Sequence, residues 1–197
     1  GHARQGRLTM YEGLDTVVLY EELAYEDVLP VSWKKMPEPF DPALIGSYAD
    51  RNLRVLQALA ALDEHGQPEK SDESSPHAAD IMRLDLKVNL LLDMVGALLV
   101  ASRPRPRPTS IRFNALGGVW QAIPPFPELG AQGVLEIYVR DSIAEPLRLA
   151  GRIASVGPDG RVKVRFAALS ENVADLLEKL AFRKHRRQIA GIRSPKK

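Results

Sequence analysis

Apolar residues between His77 and Ser102 recur at steps of three and four: Ile81, Leu84, Val88, Leu91, Val95 and Leu98. That is the a/d spacing of a heptad, which keeps one apolar seam facing a partner helix. The a positions are β-branched and the d positions are all leucine, the combination that favours two strands in simple parallel coiled coils. Leu92 and Leu99 at e and Met94 at g widen the seam, and a face that broad needs more than one neighbour. The pattern predicts a helix of a multi-helix bundle shared between copies of the chain. A core helix of the same chain is the plainer alternative, because the repeat lasts only about two and a half heptads. The stretch is not a membrane span: one needs about 20 apolar residues, and Asp85, Lys87 and Asp93 would sit at membrane depth.

Upstream, Thr16 to Tyr20 is a β-branched run, followed by acidic residues Glu21, Glu22, Glu26 and Asp27. Val28 to Trp33 reads as a short strand, and Pro30 within it predicts an edge position. Met36 to Phe40, with two prolines, is a linker. Asp41-Pro42 is a helix start, Asp as N-cap and Pro in the first helical position. The helix is predicted to run to about His65 with Ile45, Ala49, Leu53, Leu56 and Ala60 on its apolar face, joined by Leu59 and Leu62, and to stop at Gly66. Gln67 to Ser75 is a polar loop, and Pro76 near the start of the heptad helix completes a helical hairpin. Its two helices are expected to pack antiparallel within one chain, leaving the heptad seam for other chains and favouring a bundle of four or more helices.

Arg103 to Pro108 is held extended by its prolines and ends the helix. From there the period changes to two. Ser110 to Asn114, Val119 to Ile123, Val134 to Val139, Leu147 to Ser155 and Arg161 to Ala167 read as strands, and Pro158-Asp159-Gly160 marks a hairpin between the last two. Glu171 to Ile189 is an amphipathic helix capped by Ser170, whose Val173, Leu176, Leu177, Leu180 and Phe182 are expected to plug a barrel. The predicted class is α+β: a small antiparallel β-barrel with an inserted long helical hairpin and a C-terminal helix. Its segments are residues 13–40 (first barrel strand), 41–102 (the hairpin) and 108–190 (barrel and closing helix).

Composition narrows the function. The 197 residues fit one domain with an insertion. The absence of cysteine excludes disulfide and thiolate chemistry and makes a reducing cytoplasm the natural setting. Gly1 to Arg7 is polar with no apolar region after it, so no signal peptide is expected, and Gly1-His2 has the look of an expression remnant. His2, His65, His77 and His185 lack metal-ligand spacing, and the Asp/Glu pairs fall mainly on helix faces, so neither a metal nor catalysis is expected. Net charge is only +2, but after Glu178 the chain carries eight Lys or Arg and no acid. The Arg183 to Arg187 run makes nucleic-acid binding the weaker alternative class.

Short strands ending in LRLAGRIASVGPDGRVKVRF, followed by a basic helix, resemble the PilZ domain across Ile111 to Ile189. PilZ domains are bacterial barrels that bind, or once bound, cyclic di-GMP. The resemblance implies that VLPVSW is the first barrel strand, with the helical hairpin inserted after it, as in the atypical, oligomeric variety. Typical members read the dinucleotide through an RxxxR pair before the first strand, which grips phosphates and stacks on guanine. They also use DxSxxG in a turn, where Asp and Ser supply hydrogen bonds and Gly lets the backbone approach. Laid on this chain, the second signature falls on Phe113, Ala115 and Gly118, so glycine survives without the carboxylate and hydroxyl. The first falls on the acidic stretch Glu21 to Glu26.

The expectation is a ligand-blind barrel without cofactor, in a homo-oligomer with a tetramer favoured. No membrane is expected among its partners. Its surface around Phe113, Ala115, Trp120 and the Arg183 to Arg187 run would meet other signalling proteins. The alternative is an atypical cyclic di-GMP receptor with a relocated site at Arg103, Arg105 and Arg107, of which Arg103 and Arg107 have RxxxR spacing.

Overall fold

The computed structural model describes residues 23–64, 76–167 and 169–193. The Thr16 to Tyr20 run, Glu21 and Glu22, His2, His65, Gly66 and the Gln67 to Ser75 loop lie outside the described residues. Six strands, β1 (Tyr25–Lys35), β2 (Pro108–Phe113), β3 (Gly117–Gln121), β4 (Gln132–Ile137), β5 (Leu147–Val156) and β6 (Arg161–Phe166), close into a barrel in the order β1-β2-β3-β6-β5-β4. All pairings are antiparallel. Between β1 and β2 lie two helices, α1 (Pro42–Glu64) and α2 (Ala78–Ser102), and α3 (Glu171–Arg193) closes the chain.

Alternation builds the barrel. On β6, Val162 and Val164 point inward while Arg161 and Arg165 face solvent. Phe113, Leu135, Ile137, Leu147, Leu149 and Ile153 join them in one core, to which α1 adds Val55, Leu56 and Leu59 and α3 adds Val173, Leu177, Leu180 and Ala181. The Pro158-Asp159-Gly160 turn forms as expected, with Gly160 at φ 82°, where a side chain would be strained. The helix starts are also those of the sequence. The Ala43 N–H donates to Asp41 Oδ1 at 3.0 Å, and the Val173 N–H to Ser170 Oγ at 3.3 Å.

Four expectations change. Pro30 is not on an edge, because a closed barrel has none. β1 changes partner there, pairing with β2 as far as Pro30↔Pro108 and with β4 from Val31↔Ile137. The missing N–H falls at that handover, and the Pro30 carbonyl accepts from the Tyr138 N–H at 3.1 Å. Second, α1 packs on α3 and β5 rather than antiparallel on α2. Third, Phe182 does not plug the barrel but is exposed, with Ala181 buried instead. Fourth, β3 begins two residues early and ends at Gln121, because Gly117 and Gly118 already pair with β6.

Asn52 explains why α1 sits where it does. It occupies an apolar-face position, is buried, and takes up a stretch of β5 that β6 does not reach. Its Nδ2 donates to the Arg148 carbonyl, and its Oδ1 accepts from the Arg148 N–H, both at 2.8 Å. One side chain thereby continues the strand ladder and satisfies backbone groups that burial would otherwise penalise.

Candidate functional site

Every residue of the heptad seam is open. Ile81, Leu84, Val88, Leu91, Val95 and Leu98 are between 44% and 69% exposed. The helix touches its own barrel through a different strip. Gly96 is its one buried residue, and Leu92 and Leu99, which flank it at helical spacing, are half-buried. These two e-position leucines are thus less open than the a and d residues of the seam. A second ridge does widen the apolar surface. Met82, Leu86, Leu90 and Met94 follow one another at steps of four and are all more than half exposed. Sequence reading missed it because Met82, Leu86 and Leu90 fall outside a and d; the plain abundance of apolar residues was the available signal.

The corner that carries the degenerate dinucleotide signature is closed. Phe113 is 1% exposed, and its ring lies 5.3 Å from that of Tyr25. Gly118 pairs with it across β2 and β3, where a Cβ would come 3.3 Å from Phe113 Cβ. Ala115 is half-buried. Trp120 is buried too and stacks on Trp33 with centroids 6.3 Å apart. Phe113 and Trp120 therefore belong to the core and not to an interaction surface, which corrects the expected docking face. Asn114, unremarked in the sequence, shapes this turn: its Oδ1 accepts from the Leu116 N–H at 2.8 Å and the Gly117 N–H at 3.3 Å.

Of the acidic residues at the entry to β1, the two described ones, Glu26 and Asp27, are paired within the fold. Glu26 pairs with Arg112 across the β1–β2 ladder at 2.5 Å, and Asp27 with Lys184 of α3 at 2.7 Å. Lys184 also lies over the Tyr25 ring, 5.1 Å from its centroid. Burial, then the Asp27 carboxylate, pushes the Tyr25 hydroxyl up to about 12.

The three candidate ligand arginines differ in their surroundings. Arg103 and Arg107 are exposed, but the Arg105 side chain is only 7% exposed and is spent on the β4–β5 connection. The basic run of α3 is likewise largely committed. Arg183 and Arg187 hold Asp63 of α1 at 3.0 and 2.8 Å, and Lys184 holds Asp27. Of the residues left, Arg186 leans over the Phe182 ring and His185 is exposed. Three of the four Lys and Arg residues in the run are thus engaged with two carboxylates inside the fold. Among the described residues no His, Cys, Asp and Glu cluster could hold a metal, and no helix is long and apolar enough to cross a membrane.

A closed antiparallel barrel with two long helices spliced in after its first strand defines a PilZ-type module. The chain belongs to the family described as atypical PilZ domain, cyclic di-GMP receptor, whose model matches residues 56–194. It is similar to a solved protein from Xanthomonas campestris, described as a new tetrameric PilZ domain self-assembled via an unusual helical bundle. The two are 25% identical, with a TM-score of 0.64 over 85% of this chain and 91% of that one. No curated protein matches.

Proposed function

We propose that the chain is a non-enzymatic signalling and interaction module of cyclic di-GMP pathways, working in the cytoplasm. It assembles with copies of itself, a tetramer favoured, through Ile81, Leu84, Val88, Leu91, Val95 and Leu98 of α2. The observation that carries this reading is that all six are exposed on a helix whose other strip holds it to the barrel. Covering an exposed aliphatic side chain fully stabilises by about 1.5–3 kcal/mol. Association costs about 4–15 kcal/mol in lost freedom. One pair of six-residue seams covers that cost, but the ridge of Met82, Leu86, Leu90 and Met94 would still face water. A bundle of more than two copies covers both. The tetrameric relative, self-assembled via a helical bundle, supports the same reading.

The barrel is proposed to be displayed by the assembly without reading the dinucleotide at the usual corner, because Phe113 and Ala115 offer neither a carboxylate nor a hydroxyl. The reading is tested with Leu91→Asp, which places charge in the middle of the seam. Light scattering is expected to find that variant as a monomer with its barrel circular dichroism intact; a variant that stays assembled overturns the reading.

A second reading, a cyclic di-GMP receptor with a relocated site, is supported by the family's description as a receptor and by the exposure of Arg103 and Arg107. Such a site would have to do without Arg105.

A further inference from the structure

Two joints tie α2 to the barrel, and both grip the same short connection after β4. At Gly96 the helix crosses that connection. A Cβ added there would lie 3.1 Å from the Ser142 nitrogen and 3.2 Å from both the carbonyl carbon and Cβ of Asp141. Most of what it would meet is backbone, which cannot swing aside as the tip of a long side chain can. The second joint is Arg105, nine residues further along the chain. Its guanidinium donates to the carbonyls of Arg140 at 3.3 Å, Asp141 at 3.1 Å and Ile143 at 3.0 Å. It also reaches Asp141 Oδ1 at 3.4 Å and lies 4.9 Å from the centre of the Tyr138 ring.

Each joint alone would leave a pivot. Together they fix the helix near its C-terminal end and fix the segment leading out of it, and Pro104 and Pro106 on either side of Arg105 remove slack between them. Three carbonyls arranged about one planar guanidinium also set its orientation, which a lysine ammonium would not reproduce.

We propose that Gly96, residues 140–143 and Arg105 form a rigid elbow that sets the angle between α2 and the barrel. An assembly built on α2 then presents its barrels in one fixed orientation; that consequence rests on the self-association reading, whereas the elbow is a property of the single chain. It gives Arg105 a positioning role in place of ligand binding.

The test is a distance distribution within one chain. The sequence has no cysteine, so spin labels at Ala79→Cys in the first turn of α2 and Asn172→Cys in the first turn of α3 are unambiguous. Labelled chains are diluted with unlabelled ones so that pulsed electron resonance reads only intrachain distances. Near-UV circular dichroism of the Trp33–Trp120 pair reports whether the barrel is folded. The doubly labelled parent is expected to give one narrow distribution. Arg105→Lys should broaden it, and Gly96→Leu, whose side chain must push on residues 141–142, should shift its mean. A broad distribution in the parent overturns the elbow, and so does a parent-like one in Gly96→Leu with a folded barrel. A parent that is monomeric yet narrow supports the elbow and overturns the self-association reading, so the two failures are distinguishable.

Discussion

Asp63, one residue from the C-terminal end of α1, meets Arg183 in the middle of α3 with Oδ2 3.0 Å from Nε. A carboxylate at a helix C-terminus faces the negative end of the macrodipole, and this one is only 6% exposed. It is tolerated because Arg187 adds a contact at 2.8 Å and Arg140 stands 3.9 Å away. Two members of the basic run that looks like a nucleic-acid patch in the sequence, Arg183 and Arg187, thus form the clamp between α1 and α3. Asp63→Asn is expected to lower stability by about 2 kcal/mol, since hydrogen bonds to charged groups are lost while the arginines stay half-covered. Urea denaturation checks it, and an unchanged midpoint would mean the clamp contributes nothing.

Asn52 gives a second prediction. Asn52→Ala leaves the Arg148 N–H and C=O without the side chain that now satisfies both. Stability should fall by about 1–3 kcal/mol, and the Arg148 amide should exchange with solvent faster. Hydrogen exchange read at that amide separates this from a general loosening.

Tyr25 predicts an alkaline loss of stability. Its hydroxyl is raised from 10.0 to about 12 because burial and the Asp27 carboxylate disfavour the phenolate. The folded state therefore holds the proton more tightly than the unfolded state. The stabilisation is full below pH 10 and fades as pH rises toward 12. In Tyr25→Phe that part of the decline should vanish. If both proteins lose stability in parallel between those values, Tyr25 is not its cause.

Phe113 separates a core from a ligand surface. Phe113→Ala should cost about 3–5 kcal/mol, as truncation of a fully buried aromatic does. A near-neutral change would return the residue to the surface. Calorimetric titration of the unaltered chain with cyclic di-GMP is expected to show no binding heat. Saturable heat that survives Phe113→Ala but is lost in Arg103→Ala or Arg107→Ala would favour the relocated receptor.

Much of this fold is legible in the residues. Alternation marks β6, the Asp41-Pro42 pair and Ser170 set their helix starts, and the heptad registers a seam that the structure leaves uncovered. Other features depend on partners that local pattern cannot name. Pro30 reads as an edge residue until β1 is seen to change neighbours there. Phe113 and Trp120 lie on strands with short periodicity, and only barrel closure decides which face is inside. Arg105 sits in a run of Arg and Pro that looks solvated, and its carbonyl partners lie 35 or more residues away in sequence. Asn52 was the one readable hint, a polar residue at apolar spacing.

The central claim is that α2 is covered by other copies of the chain. Sedimentation equilibrium at micromolar concentration tests it most directly. A mass four times that of the chain is the predicted result, and a single-chain mass across that range would contradict it.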